Sequence, residues 1–278
     1  MHMKLDRRWL VAGIMAACVL IIALTGKKTG PDQAETQSSA AETTVVEETQ
    51  IAEMMVLNPA LENDQKELLD HLYEAMESGN FEQAAKEMFS HEQKLQYLFY
   101  QVLDGKSYLY HDGTLSEDLN GKGIVIRKPT SVFYGTFQDG KPEGQGAAVQ
   151  VIRLDDWRYD YACGTWKDGK MEGEGETGYH YYNGVTSEES QSMKKTGIFE
   201  ADLMNGAVEY ETVNSSGEHS TWNLEVSQGK TVINENWSYQ EETGEYHLLS
   251  SDNQNHIYVI SQVDEDAVLW RNLLVWEE

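Results

Sequence analysis

The sequence predicts a mostly β protein, an elongated antiparallel sheet of stacked β-hairpins preceded by a small α-helical hairpin and an N-terminal transmembrane helix. Three observations carry this. After residue 105 the chain holds 18 of its 23 glycines and six of its seven tryptophans, in segments that repeat. Residues 58–105 place apolar side chains at three- and four-residue steps, and residues 9–24 contain no charge. Composition narrows the partners. With 21 Lys and Arg against 47 Asp and Glu, the formal charge of −26 repels polyanions, so no nucleic acid partner is expected and an anionic lipid surface is disfavoured. Two cysteines, Cys18 in an apolar run and Cys163 in polar sequence, provide no disulfide framework.

Residues 1–29 are expected to be a membrane anchor or a signal. Lys4, Arg7 and Arg8 precede the charge-free run, and Thr25 and Gly26 extend it to Lys27-Lys28. That length is slightly short of the roughly 20 residues a bilayer core needs. Two rivals stay open, a cleaved signal peptide and lipidation at Cys18 within Met15-Ala16-Ala17-Cys18. The amino terminus, Lys4, Arg7 and Arg8 less Asp6 give +3, against +2 from Lys27 and Lys28. The positive-inside rule then puts the bulk of the chain outside the cytoplasm, as a single-pass protein of the cell membrane. Residues 30–57, with six acids and a Thr, Glu, Ser, Gln and Ala-rich composition, read as an acidic disordered linker.

Residues 58–105 read as a helical cap. Asn58-Pro59 offers a start, and Leu61, Leu68, Leu69, Leu72, Tyr73 and Met76 form a stripe that Gly79 ends. Asn80 with Gln83 has capping-box spacing before Phe81, Ala84, Ala85, Met88 and Phe89. Ser90 with Gln93 repeats that spacing before Leu95, Leu98, Phe99 and Val102. The junction around Gly79-Asn80-Phe81-Glu82 resembles that of a tetratricopeptide repeat, but one hairpin cannot build a solenoid.

From 106 to 278 the pattern changes to hairpins. One unit reads Phe133-Tyr134-Gly135-Thr136-Phe137-Gln138-Asp139-Gly140-Lys141-Pro142-Glu143-Gly144-Gln145-Gly146. A second, 29 residues on, reads Gly164-Thr165-Trp166-Lys167-Asp168-Gly169-Lys170-Met171-Glu172-Gly173-Glu174-Gly175, and ten of twelve positions agree by identity or type. Fainter copies follow at 197–206 and 224–230, and a shortened one precedes at 113–123. Period two puts Phe133, Gly135 and Phe137 on one face, as it does Gly164 and Trp166. Asp-Gly signals a tight turn because both central positions reach positive φ. The expectation is that Gly135 and Gly164 leave room for a neighbouring aromatic, that the G-x-G of the return strand leaves the same face bare twice, and that stacked hairpins build an aromatic spine. Ile257-Tyr258-Val259-Ile260 and Val268-Leu269-Trp270 are expected to be terminal strands closing the sheet's edge.

These units resemble MORN repeats, whose pattern is an aromatic, x, Gly, x, Phe or Trp, x, Asp-Gly, then G-x-G. The first unit fits nearly throughout. The second has Ala162 where the leading aromatic belongs, and the unit from Gly197 has Ala201-Asp202 in place of Asp-Gly. The whole layout resembles uncharacterised membrane-anchored MORN proteins of Gram-positive bacteria. That resemblance implies a MORN-repeat β-sheet domain over 106–278, scaffolding and association with membranes or proteins, and no agreed chemistry. The repeat positions it marks are Gly135, Phe137, Gly140, Gly144, Gly146, Gly164, Trp166, Gly169, Gly173 and Gly175.

Candidate chemistry is sparse. Glu143, Glu172, Glu174 and Glu176 recur near the turns, where equivalent positions in a repeat make solvated decoration the simpler reading than a catalytic pair. Neither Asp139-Gly140-Lys141 nor Asp252-Asn253-Gln254-Asn255 completes a calcium loop, and the eight histidines lack metal-ligand spacing. No catalytic residue, metal or cofactor is therefore assigned. If Trp166 and its equivalents fill the spine, the opposite face bearing Tyr134, Trp157 and Tyr182 is the candidate exposed binding face. The function expected is a membrane-tethered non-enzymatic scaffold or interaction module, with a protein or glycan partner. The alternative is a cell-surface hydrolase of glycan or peptide using the repeat carboxylates.

Overall fold

A computed structural model describes residues 59–153, 156–186, 188–252, 255–261 and 271–276. The expected anchor, the linker and the strand at Val268-Leu269-Trp270 lie outside the described residues. Residues 56–278 form one compact unit.

Three helices come first: α1 Asn63–Glu77, α2 Phe81–Ser90 and α3 Glu92–Tyr97, the last running into a π-helical turn at Leu98–Val102. The stripe read from the sequence is buried, including Leu68, Leu69, Leu72, Met76, Ala84, Ala85, Met88, Leu95 and Leu98. The starts differ in detail. α1 begins four residues beyond Pro59, because the Glu62 amide donates to Gln65 Oε1 at 2.9 Å and supplies the cap there. Asn80 caps α2 by accepting from the Gln83 amide at 3.1 Å, whereas the Gln83 side chain turns forward to Glu87. Ser90 closes α2 instead of opening α3, which begins after His91.

The hairpins build one long antiparallel sheet of 11 strands in the order β11-β10-β9-β8-β7-β6-β5-β4-β3-β1-β2. Its central strands are β3 Gly121–Lys128, β4 Ser131–Gln138, β5 Lys141–Arg153, β6 Trp157–Lys167, β7 Lys170–Tyr182, β8 Glu189–Glu200, β9 Leu203–Val213 and β10 His219–Ser227. The short strands β1 Leu109–His111 and β2 Thr114–Ser116 form one edge, and β11 Lys230–Thr231 the other. From β3 to β11 each strand pairs with the next in the chain, a meander, while β1 lies between β2 and β3. Asp139-Gly140 has φ of +50° and +79°, and Asp168-Gly169 has +51° and +83°, as a tight turn of this kind demands. Ala201-Asp202 adopts the same conformation, +49° and +71°, without glycine. Asp202 is held there because its carboxylate accepts from the Met171 amide at 2.9 Å.

Cross-strand register aligns six glycines in one row, Gly123, Gly135, Gly146, Gly164, Gly175 and Gly197, across β3 to β8. The aromatic spine exists on that face, but the glycines divide the labour differently from the sequence expectation. A Cβ at Gly135 would fall 2.9 Å from the Gln145 carbonyl oxygen, and one at Gly164 would fall 2.7 Å from that of Glu174. Backbone, not an aromatic ring, crowds these positions. The rings lie over the return strands. Trp166 Cδ1 is 3.2 Å from a Cβ position on Gly146, and Phe199 Cδ2 is 3.1 Å from one on Gly175. Gly144 and Gly173 sit in open space at φ of +77° and +85°, beside the register shifts of their hairpins. They turn the bulge and do not bare the same face a second time.

Both faces of the sheet are packed. On one, the helices cover Tyr110, Ile124, Val132, Ala147, Val149, Tyr159 and Tyr161. On the other, Val125, Phe133, Phe137, Trp166, Phe199, Met204, Trp222 and Leu224 form a second core. A small sheet joins that core, made of β12 Ser238–Gln240, β13 Glu245–Leu249 and β14 Ile257–Ser261. Ile257-Tyr258-Val259-Ile260 is therefore a strand but does not close the edge of the large sheet. Tyr258 packs on its face, 5.5 Å from the Tyr210 ring and 6.0 Å from Trp222. The large apolar surface of Tyr210 and Trp222 draws it there, while the β10 edge is met by the two-residue β11 and by loops. Thr221 N donates to Asp252 at 2.7 Å, and Val232 N donates to Glu225 O at 2.7 Å.

Candidate functional site

A groove of about 630 Å³ opens between the C-terminal end of α1 and the sheet. Its floor is backbone: Gly135, Gly146, Gly164 and Gly175 all line it. Beside the glycine row runs a second cross-strand row, Tyr134, Ala147, Cys163, Glu176 and Thr196, which follows from the same register. Thr136, Gln145 and Glu174 stand on the other side, and Met76, Glu77, Gly79 and Lys122 complete the lining.

Hydrogen bonds fix the two ends of the groove. At one end Glu77 Oε1 accepts from Lys122 Nζ at 2.8 Å, Tyr134 Oη at 3.1 Å and Tyr73 Oη at 3.4 Å. Lys122 and then Tyr134 hold the Glu77 carboxyl below the usual carboxylate range. At the other end Tyr161 Oη donates to Glu176 Oε1 at 2.6 Å. Burial, reinforced by Glu176, pushes the Cys163 thiol up to about 11, so it is protonated and a poor nucleophile at neutral pH. The groove thus offers carboxylates, hydroxyls, one amide and an aromatic ring to a ligand.

Of the three aromatics expected on an exposed face, only Tyr134 reaches the groove. Trp157 and Tyr182 are 4% and 3% exposed, because the helical cap lies on them. Trp157 stacks on Phe89 at 4.7 Å and on Tyr182 at 4.4 Å, and Tyr161 stacks on Phe81 at 5.4 Å. Tyr134 itself meets Tyr73 edge-on at 5.6 Å. The face opposite the spine is therefore an interior interface over β3 to β7, and only its margin is open. The expectation of exposure failed because the helices carry their own aromatics, Phe81 and Phe89, in the stripe that seeks burial.

The repeat carboxylates divide. Glu143 Oε2 accepts from the Asp168 amide at 3.0 Å, and Glu172 Oε2 accepts from the Ala201 amide at 3.0 Å. Asn120 does the same for Asp139 at 2.8 Å and Asn205 for Gln228 at 3.2 Å. Each of these side chains ties its hairpin to the next turn, so Glu143 and Glu172 are not solvated decoration. Glu174 and Glu176 line the groove instead. The groove was missed in the sequence, although its signal, the G-x-G aligned between units, was visible there.

No group of three or more His, Cys, Asp or Glu side chains gathers around a metal position among the described residues. No helix among them is long and apolar enough to cross a membrane. Neither a protein-family model nor a curated protein matches the chain.

Proposed function

We propose that the protein is a membrane-tethered, non-enzymatic interaction module that presents the glycine-floored groove to a partner outside the cytoplasm. The observation that carries this reading is the division of the repeat side chains. Those at the hairpin ends clamp one unit to the next and build a continuous scaffold, while those beside the glycine row line an open groove. The MORN-like pattern of residues 133–146 and 164–175 supports a scaffolding role, and the charge-free run at 9–24 supports the tether. The hydrolase alternative loses Glu143 and Glu172, which are engaged by backbone amides. Two measurements test the reading. A photo-crosslinking residue at Gln145 is expected to capture a partner in intact cells, whereas one at the exposed Lys167 is not; equal capture at both, or none at Gln145, counts against the groove. Protease added outside intact cells is expected to cleave residues 59–278, and their protection refutes the placement.

A further inference from the structure

We propose that the groove receives an extended polypeptide segment bearing lysine or arginine side chains. This rests on the reading of the groove as a binding surface and names its occupant. Shape comes first. From Tyr134 on β4 to Thr196 on β8 the lining row crosses four strand spacings, about 19 Å, the length of about six extended residues. The backbone of four glycines leaves that track low enough for a main chain to lie along it, and Thr136, Thr196 and the Oε1 of Gln145, whose Nε2 donates to Thr165 Oγ1 at 2.7 Å, stand beside it as partners for peptide groups.

Charge then selects the side chains. The lining holds Glu77, Glu174 and Glu176, and its cation, Lys122, is already bonded to Glu77. Two carboxylates, Glu174 and Glu176, face the groove without pairing to Lys122, the Glu176 carboxylate accepting through one oxygen from the neutral Tyr161 hydroxyl, and the Glu176 row continues onto β9 as Glu209. The same negative field acts on its neighbours: Glu211, and more weakly Glu176 and Glu209, raise the affinity of Lys194 for its proton. In a chain of net charge −26, an ammonium or guanidinium group is both steered toward this face and paired once there.

The test uses the full chain in a neutral detergent and two fluorescein-labelled probes, hexalysine and its fully Nε-acetylated counterpart, read by fluorescence polarisation. The isosteric pair Glu174→Gln with Glu176→Gln is compared with a charge-matched pair in the exposed β12–β13 turn, Glu241→Gln with Glu242→Gln. The groove pair is expected to weaken hexalysine at least about tenfold and the turn pair by no more than about twofold, with the acetylated probe bound far more weakly than hexalysine. Equal weakening by both pairs overturns the proposal, since attraction is then a property of the whole charge. Equal binding of the two probes overturns the cation choice yet leaves the groove standing as a peptide site. Absence of hexalysine binding together with crosslinking at Gln145 overturns the proposal and keeps the interaction module, whereas loss of the crosslink removes both.

Discussion

Gly135 shows how much a single position decides. Its φ of +149° lies where side chains are strained, and the Gln145 carbonyl oxygen stands 2.9 Å from where a Cβ would be. Gly135→Val is expected to cost about 1–3 kcal/mol of overpacking and a similar amount of backbone strain. Gly140→Asn, in a turn with nothing within 4 Å, should cost much less, and urea melts compare the two directly. The sequence marked Gly135 as a place of close approach but named the wrong neighbour, because the bulge that brings the Gln145 backbone close is a property of the paired strand. Lys195 carried no sequence signal at all. It is 3% exposed, in a cross-strand row between Thr177 and Tyr210, and burial lowers its pKa to about 8 despite the opposing pull of Asp160. Between that value and the ordinary lysine value of 10.5 the unfolded chain binds more protons than the folded one, so stability rises with pH through this window. Relative to Lys195→Met, wild-type stability should gain about 1–2 kcal/mol between roughly pH 8 and 9.5, the tyrosines contributing alike to both proteins. Parallel pH profiles for the two proteins in denaturant titrations contradict this.

At the scale of the hairpin, the turns were legible and the clamps were not. Asp139-Gly140 and Asp168-Gly169 announce themselves because φ above zero at both central positions favours those residues. Glu143 and Glu172 looked idle because each partner amide lies on the next turn, 25 and 29 residues away, and no local spacing reports it. The turn Ala201-Asp202 also looked broken, yet Asp202 bonds to Met171 N, and Asn272 from the chain's end donates its backbone amide to Asp202 O at 3.0 Å. Glu143→Ala and Glu172→Ala are each expected to cost about 1 kcal/mol, more than Glu200→Ala on the exposed end of β8. Amide hydrogen exchange localises the effect: protection should fall at Asp168 in the first variant and at Ala201 in the second. Losses spread evenly over the sheet, or none at either amide, would mean that the clamps contribute nothing.

Across the whole compact unit, one sheet serves two cores, and this joins the stability of the cap to that of the repeats. The helices bury the aromatic face of β3 to β7, so their unfolding exposes Trp157, Tyr159, Tyr161 and Tyr182 at once. The same strands carry Phe133 and Trp166 on the reverse, where Trp276 meets Phe133 at 4.8 Å and Arg127 lies 4.6 Å above the Trp276 ring. A strand that loses its cover on one face loses rigidity on the other, since both sets of side chains spring from a single backbone. Helix and sheet should therefore melt together. The far-UV helix signal and tryptophan fluorescence, dominated by residues of the second core, are expected to give coincident urea transitions. Trp157→Ala removes a buried ring that touches only the helical side, at a cost of about 3–5 kcal/mol, and should shift both transitions equally. A helix signal that falls first, with fluorescence unmoved, would show that the cap is an independent layer resting on a self-sufficient sheet.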